Sequence, residues 1–474
     1  MRVVIVGNGV AGIEAALALR AREPGATITI VSEESDHFFS RTALMWIHSG
    51  QLRHEETEPY ERDLYARERF ERVRARAVGL DPEAHTVRLA GGLAPLPYDR
   101  LLVACGSRPR PTPWPGAELR GVGHFVTHQD LAWLEREVWG GPSRGGSPPR
   151  PDAHLAATDE RSPYRPRPDG HAARGGPPRH PVVIGGGLVG IEAVEVLLAA
   201  KLTPRFLVRE EWFWPLALDR AEADWITGRL RAHGVLVHLG EHVEALEGEG
   251  TLARVRTDRA SYDADVCVVA IGVVPNTDWI GDALARDAGG GVLVGPGLET
   301  SAEDVFAAGD CASVRWFHGA RMPEPLWYTA RAQGRVAGRR LAGDRADYAR
   351  GVFYNSSKLA DVEHTTVGLV SMNVEGERNW RFEERGAVRS TLRVVLAGER
   401  VVGMNALGRR WDHAVWIRWI EERRSLAYVL SHLAEASFDT ELVPPLVVPR
   451  DAREAPPEGP APSVIDAPLP APEA

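Results

Sequence analysis

Six glycines carry the first chemical signal. Gly7, Gly9 and Gly12 in VVIVGNGVAGIEA, and Gly185, Gly187 and Gly190 in PVVIGGGLVGIEAVE, each spell G-x-G-x-x-G. In that spacing the first glycine makes a tight bend and the second lets a pyrophosphate approach the backbone. The third lets a helix pack against the preceding strand. The helix then offers unpaired N–H groups and the positive end of its dipole to an anion. One such motif is a weak signal. Two, each between a strand-like run and a helical one, point to two dinucleotide cradles in a single chain.

About twenty residues beyond the third glycine a dinucleotide's ribose is read. The first repeat has Glu33 there, backed by Glu34, at the end of TITIVS. A carboxylate accepts both hydroxyls of an unphosphorylated ribose. The second repeat has Arg209 at the end of PRFLVRE. Its guanidinium can pair with a 2′-phosphate and stack on adenine, which favours NADPH. Glu210 and Glu211 follow at once and would repel that phosphate, so NADH stays open.

These residues need strands and helices to hold them. A β-branched run at Arg2–Val6, helical spacing over 12–21 and the strand-like ATITIV at 26–31 form one βαβ unit. Residues 182–184, 189–200 and 204–208 repeat the order. Duplicated βαβ units mean parallel sheets covered by helices. The expected fold is therefore α/β: two Rossmann-like dinucleotide-binding domains and a smaller α+β C-terminal domain. We place the first domain at 1–117 and 282–345, the second at 118–281 and the third at 346–448. In the third, FYNSSKLADVEHTTVGLVS and TLRVVLAGERVVGMNAL read as strands and WDHAVWIRWIEERRSLAYVLSHLAE as amphipathic helices. Trp411, Val415 and Trp419 share one helical face there, which suits core packing or, alternatively, docking of a partner or lipid. A stretch at 140–180, rich in Pro, Gly and Arg, reads as a disordered insertion, and 449–474, rich in Pro and Ala, as a disordered tail.

Composition narrows the function. The chain has 474 residues, 44% of them hydrophobic and 26% charged, with a formal net charge of −9. These values suit a soluble globular protein and argue against nucleic acid or an anionic membrane as partner. No apolar run approaches the roughly 20 residues of a membrane span. The regular spacing of Gly7, Gly9 and Gly12, and Glu14 within the apolar stretch, oppose a secretory signal, so a cytoplasmic location is expected. Cys105, Cys267 and Cys311 form no C-x-x-C or similar pair. The sequence shows neither a Ser-His-Asp set nor a metal cluster.

Five motifs in order carry a family resemblance: the first glycine repeat, YDRLLVACGSRP, VVIGGGLVGIE, DVCVVAIGVVPNT and TSAEDVFAAGDCA. Together they resemble the pyridine nucleotide-disulfide oxidoreductase superfamily, in its ferredoxin and rubredoxin reductase-like branch. The resemblance covers residues 1–345 apart from the insertion. It implies that the first unit holds FAD and the second NAD(P)H. By resemblance Gly7, Gly9, Gly12 and Glu33 bind the adenosine diphosphate half of FAD, and Arg41 in FFSRTAL lies near its pyrophosphate. Ala104 and Gly106 flank Cys105, which replaces the family's usual Thr. Gly309 and Asp310 match the second FAD motif, whose Asp holds the ribityl chain. The helix in LWYTARAQGRVAGRRLAG points at the isoalloxazine. Gly185, Gly187, Gly190, Arg209 and Gly272 fall to the nicotinamide nucleotide.

The resemblance also bears on electron flow. Disulfide reductases of the superfamily place a C-x4-C pair shortly after the first unit, and peroxide reductases a single Cys near FFSRTAL. No Cys occurs among residues 1–104, so a thiol relay is not expected. Glu192 is the position that approaches flavin and nicotinamide, paired in relatives with a lysine; Trp46 takes that lysine's place. Lys201 and Lys358 are the chain's two lysines, so the pairing is expected to be absent and Trp46 to cover the flavin face. The expected activity is hydride transfer from NAD(P)H to FAD, then electron transfer to an external acceptor, a small iron-sulfur or rubredoxin-type protein. Direct reduction of oxygen or a quinone is the alternative enzyme, and an FAD-bound NAD(P)H sensor or assembly protein the alternative outside catalysis. The small C-terminal domain commonly sits at a dimer or acceptor interface, so a homodimer is one expectation.

Overall fold

A computed structural model describes residues 1–139, 180–316, 320–370, 376–385, 389–438, 441 and 443–458. Two five-stranded parallel sheets organise the first 345 residues. The first sheet has the order Val305–Ala307, Arg100–Val103, Arg2–Val6, Thr27–Ser32, Phe70–Arg74. The second has the order Leu236–Leu239, Arg205–Val208, Pro181–Ile184, Val266–Val269, Val122–Gly123. In each, the strand before the glycines lies in the middle. Arg2–Val6 runs beside Thr27–Ser32 with Val4 opposite Thr29, and Pro181–Ile184 beside Arg205–Val208 with Val183 opposite Phe206. Central strands covered on both faces need continuous apolar runs, and VVIV and PVVI supply them. Every residue of Pro181–Ile184 and Val266–Val269 is buried.

The chain crosses between the sheets twice, and the crossings pair. Strand Ser107–Pro109 leaves the first sheet and Val273–Pro275 returns antiparallel to it, with Val274 opposite Arg108. Gly106 and Gly272 begin the two crossings with φ of +67° and +100°, the left-handed region open to glycine. A carbonyl of each accepts from the other strand: Asn276 N–H donates to Gly106 at 3.0 Å and Arg110 N–H to Gly272 at 3.0 Å.

Helix Val10–Arg22 follows the first glycine repeat, and helix Trp327–Leu341 lies along it. Small residues permit the approach. A Cβ on Gly334 would sit 2.4 Å from the Ala11 carbonyl oxygen, and one on Gly338 would sit 2.3 Å from that of Ala15. Glu14, buried between the two helices, accepts from Tyr60 Oη at 2.9 Å, Arg331 Nε at 2.9 Å and Arg335 Nε at 2.8 Å. Burial opposes its charge, but these partners hold the carboxyl below its usual range.

The C-terminal domain is a five-stranded antiparallel sheet in the order Tyr354–Leu359, Val362–Gly368, Arg400–Leu407, Ser390–Ala397, Glu377–Glu384. Helices His413–Glu421 and Leu426–His432 follow. The expected tryptophan stripe is corrected here. The helix starts at His413, capped by Asp412 Oδ1 accepting from Ala414 N–H at 2.8 Å, so Trp411 precedes it. Trp416 and Trp419 are fully buried with Trp411, and Val415 packs at their edge.

Two expectations concern irregular segments. The insertion lies outside the described residues except for His180, whose N–H donates to Asp265 Oδ1 at 3.1 Å. Of the tail expected to be disordered from residue 449, the described part, 449–458, is ordered. Residues 450–454 form helix Arg450–Glu454, the Ala452 carbonyl accepts from Trp380 Nε1 at 3.0 Å, and Glu458 bridges to Asn379. Val448 and Leu446 anchor this segment in the tryptophan cluster, which composition alone does not reveal. Residues 459–474 lie outside the described residues.

Candidate functional site

The two glycine turns are built alike, atom for atom. Gly7 and Gly185 have φ of +121° and +120°. A Cβ on Gly7 would lie 2.0 Å from the Ala104 carbonyl oxygen, and one on Gly185 would lie 2.2 Å from that of Ala270. The third glycines pack as closely: Cβ atoms on Gly12 and Gly190 would meet the carbonyl oxygens of Gly7 at 2.0 Å and Gly185 at 1.9 Å. Gly9 and Gly187 differ in kind, because a Cβ on either would meet nothing within 4 Å. Two glycines of each motif are thus required by the protein's own backbone, whereas the middle one borders open space.

That space lies in front of a helix end. Gly9 and Gly187 are the N-caps of helices Val10–Arg22 and Leu188–Ala199; neither cap has a side-chain hydrogen bond, and neither first turn has an acid. The first N–H groups and the positive dipole end therefore face outward. The residues present fit two pyrophosphates, one per sheet.

Around the first cradle, Glu33 stands just past strand Thr27–Ser32 with its side chain 54% exposed and 4.0 Å from Arg76 Nε. Arg41 is held by both carboxylate oxygens of Glu34 and by the Val126 carbonyl at 2.9 Å. It thereby ties the first sheet's loop to the segment leading into helix His128–Trp139, where Glu34 Oε1 also accepts from His128 N–H at 3.1 Å. Ala104 donates its N–H to Val6 at 2.8 Å and closes the floor beneath Gly7. Gly309 has φ of +83° and donates its N–H to buried Gln333 Oε1 at 2.8 Å, locking the turn to helix Trp327–Leu341. Asp310 Oδ2 accepts from Ser107 Oγ at 2.7 Å. Burial pushes the Asp310 carboxyl up from its ordinary value, with the Ser107 bond opposing. Sequence reading missed Ser107 and Gln333, since neither type nor spacing marks them.

Two cysteines distant in sequence meet at this floor. Cys105 and Cys311 follow neighbouring strands of the first sheet, and the Cys311 thiol donates to the carbonyls of Val103 at 3.4 Å and Ala308 at 3.3 Å. The neighbouring Cys311 sulfur, with burial added, raises the Cys105 pKa well above the ordinary thiol value, so Cys105 rests as a thiol. Cys267 is buried alone in the second sheet, and burial raises its pKa as well.

Around the second cradle, Arg209 follows strand Arg205–Val208 and is 72% exposed, with its NH2 group donating to Glu210 at 2.8 Å. Glu192 lies one turn into the glycine helix and has no ion-pair partner among the described residues. Burial alone pushes its pKa up to about 7. Trp46, on helix Leu44–His48, lines a small cavity with Glu195, Lys358 and Ala360. The lysine set aside in the sequence reading therefore does reach this helix, beside Glu195. A second acid three positions after Glu192 was the available signal.

Glu192 makes stability depend on pH in a defined direction. Its folded pKa of about 7 lies above the ordinary value of 4.5, so the folded chain keeps a proton that the unfolded chain releases. Its favourable contribution is complete below the unfolded value and is lost as pH rises through the window between the two. Glu192→Gln escapes that loss. It is expected to be more stable than the parent at pH 8 by about 2–3 kcal/mol and equal to it at pH 4. Urea midpoints at the two pH values measure this; equal midpoints at pH 8 would refute it.

Among the described residues no group of His, Cys, Asp or Glu could hold a metal ion, and no helix is long and apolar enough to cross a membrane.

Comparison with known proteins gives three kinds of match. The family described as pyridine nucleotide-disulphide oxidoreductase matches residues 1–334. The chain is 27% identical over 427 residues to the NADH-dependent phenylglyoxylate dehydrogenase subunit epsilon of Aromatoleum evansii, covering 89% of this chain and 92% of the relative. It is 28% identical over 435 residues to the ferredoxin reductase component of the chlorobenzene dioxygenase of Cupriavidus sp. strain PS12, covering 90% and 93%. Among solved structures, a NAD-dependent persulfide reductase from A. fulgidus superposes with a TM-score of 0.76 at 22% identity, over 93% of this chain and 79% of the other. At that identity the likeness is one of fold.

Proposed function

The chain belongs to the pyridine nucleotide-disulphide oxidoreductase family, and from that premise we propose that it passes electrons from NAD(P)H through FAD to an external one-electron acceptor, a small iron-sulfur or rubredoxin-type protein. FAD-dependent NAD(P)H oxidoreduction is the chemistry common to this family. The observation that carries the reading is the duplicated cradle, in which both middle glycines border open space at an uncapped helix end. When bound, the nicotinamide supplies a hydride and the flavin takes it up and hands the electrons on.

The chain's own residues hold and orient. Gly9 and the first N–H groups of helix Val10–Arg22 receive the FAD pyrophosphate, Glu33 the adenosine ribose, and Asp310, braced by Ser107, the polyol chain. Gly187 and helix Leu188–Ala199 receive the second pyrophosphate. The paired crossings at Gly106 and Gly272 carry the chain between the two sheets that present the cradles. Because residues 1–104 contain no cysteine, the electrons do not pass through the family's thiol pair. Ferredoxin reductases among the relatives support a protein acceptor.

The test is anaerobic rapid mixing of the purified yellow protein with NADH and with NADPH. Bleaching of the flavin band within seconds, and faster reoxidation by ferredoxin than by oxygen, supports the reading; no bleaching in minutes overturns it. Arg209 provides the specificity arm. Its exposed pairing with Glu210 is weak enough to yield to a 2′-phosphate. Arg209→Glu is expected to weaken NADPH binding about tenfold and leave NADH within about twofold. Equal response to both nucleotides before and after the change would remove Arg209 from the site.

A further inference from the structure

Three segments meet beside the second cradle, away from its glycine turn. Helix Leu44–His48 brings Trp46, the glycine helix brings Glu195, and the hairpin of strands Tyr354–Leu359 and Val362–Gly368 brings Lys358 and Ala360. Glu195 stands three positions after Glu192, so the two carboxyls share a helix face one turn apart. Glu195 is 5% exposed, and Oε1 accepts the Ala360 N–H at 2.7 Å. With Trp46, Ser49, Gln51 and Lys358 it lines a cavity of ≈ 20 Å³. That volume admits one water, and the side chains of Ser49, Gln51, Glu195 and Lys358 in the lining offer it polar partners.

The electrostatics are consistent with a group that carries a proton. Burial, then Glu192, raises the Glu195 pKa well above the carboxylate range; Asp361 adds to this, while the Ala360 N–H and Lys358 oppose it. Glu195 is buried and Glu192 half-buried; two such carboxyls a turn apart, with one lysine nearby, do not both ionise at neutral pH.

Resting on the hydride-transfer reading, we propose that Glu192, Glu195 and a water in the Lys358-lined cavity form an exit path for the proton that a reduced flavin would give up beside the second cradle, which the C-terminal domain completes by supplying Lys358. The balance requires a proton to leave. When two one-electron acceptors oxidise one NAD(P)H, the hydride first moved to the flavin ends as two electrons for the acceptors and one proton, which the reoxidised flavin releases. Glu192 passes it to Glu195, and Glu195 to the cavity water and bulk solvent. Lys358 acts as a positioning residue, holding the water and stabilising the carboxylate left on Glu195.

Two measurements test the path. The first is an infrared titration of the protonated-carboxyl band in protein without nucleotide. Glu195→Gln is expected to remove one component, and Lys358→Met to raise the midpoint of the remainder by about one pH unit, with Lys358→Arg restoring it. The second follows proton release with an indicator dye while reduced holoenzyme is reoxidised by ferricyanide. In Glu195→Gln, release is expected to lag reoxidation by about tenfold or more. Both carboxyls ionised at neutral pH, an unmoved midpoint in Lys358→Met, or proton release in step with electron transfer in Glu195→Gln would each overturn the path. A protein that NAD(P)H does not bleach overturns the hydride reading and the path together, whereas a bleaching protein with any of those three results overturns the path alone.

Discussion

Gly9→Val is expected to yield a folded but colourless protein. A Cβ at Gly9 meets nothing within 4 Å, and its φ of −85° and ψ of −173° are extended values that valine adopts readily. The fold therefore tolerates the side chain. Its methyl groups, however, occupy the space from which a pyrophosphate must approach the first N–H groups of helix Val10–Arg22. FAD affinity should fall about 100-fold or more, ~2.7 kcal/mol. The purified variant should have lost the flavin absorbance while melting close to flavin-stripped parent protein. Gly12→Ala is the control that separates binding from folding. There the added carbon would lie 2.0 Å from the Gly7 carbonyl oxygen, so helix and strand must part, at a cost of about 1–3 kcal/mol. A Gly9→Val protein that purifies yellow with stoichiometric FAD would remove the first cradle from the proposed function.

The largest stability effect is expected at Arg393, on strand Ser390–Ala397. Its side chain is 1% exposed and makes ion pairs with Asp219 at 3.2 Å and Glu222 at 3.1 Å, both of them 3% exposed. Those acids also cap helix Arg220–Ala232: Asp219 Oδ1 accepts from Glu222 N–H at 3.0 Å, and Glu222 Oε2 accepts from Asp219 N–H at 3.0 Å. One cluster thus secures a helix of the second sheet's domain to the C-terminal sheet. Arg393→Met keeps the volume but leaves buried carboxylates short of a cation. Arg381 still pairs with Asp219, so Glu222 bears most of the loss. Removing one partner of a buried pair destabilises by about 3–5 kcal/mol, which should appear as a lower urea midpoint.

The pH dependence of that loss has a definite sign. Burial raises the Asp219 pKa, but Arg393 and Arg381 outweigh it and hold the carboxyl below its ordinary value of 3.8. A lowered acid pKa contributes stability above the unfolded value and loses it as pH falls through the folded one. The parent therefore gains from the cluster at pH 8. In Arg393→Met the carboxyls can escape the cost by taking up protons in acid. The difference between variant and parent should shrink between pH 8 and pH 4. A midpoint unchanged at pH 8 would show that the cluster does not hold the two domains together.

The cradles were legible because their requirements lie within a few residues. Gly12 must clear Gly7, which is five positions away, and the apolar runs beside them name the central strands. The neighbours were less legible. Glu34 was visible behind Glu33, but nothing in FFSRTAL indicates that Arg41 will bind it and the Val126 carbonyl. Trp411, Val415 and Trp419 matched a helical period, yet the helix begins only at His413, because Asp412 caps it. Cys105 and Cys311 were read singly, and parallel pairing of their strands brought them together. With Lys201 and Lys358 the chain's two lysines, Glu192 was expected to lack a lysine partner, and docking of the C-terminal hairpin placed Lys358 beside Glu195.

The sequence by itself determined two anion-receptive helix ends on parallel sheets, because steric limits at glycine and the period of buried strands act between near neighbours. Only the tertiary structure decided which charged groups are brought together, Glu14 with Arg331 and Arg335, Asp219 and Glu222 with Arg393, Glu195 with Lys358. The physical reason is that a charged side chain's partner is chosen by how whole domains pack, and periodicity says which face is covered but not what covers it.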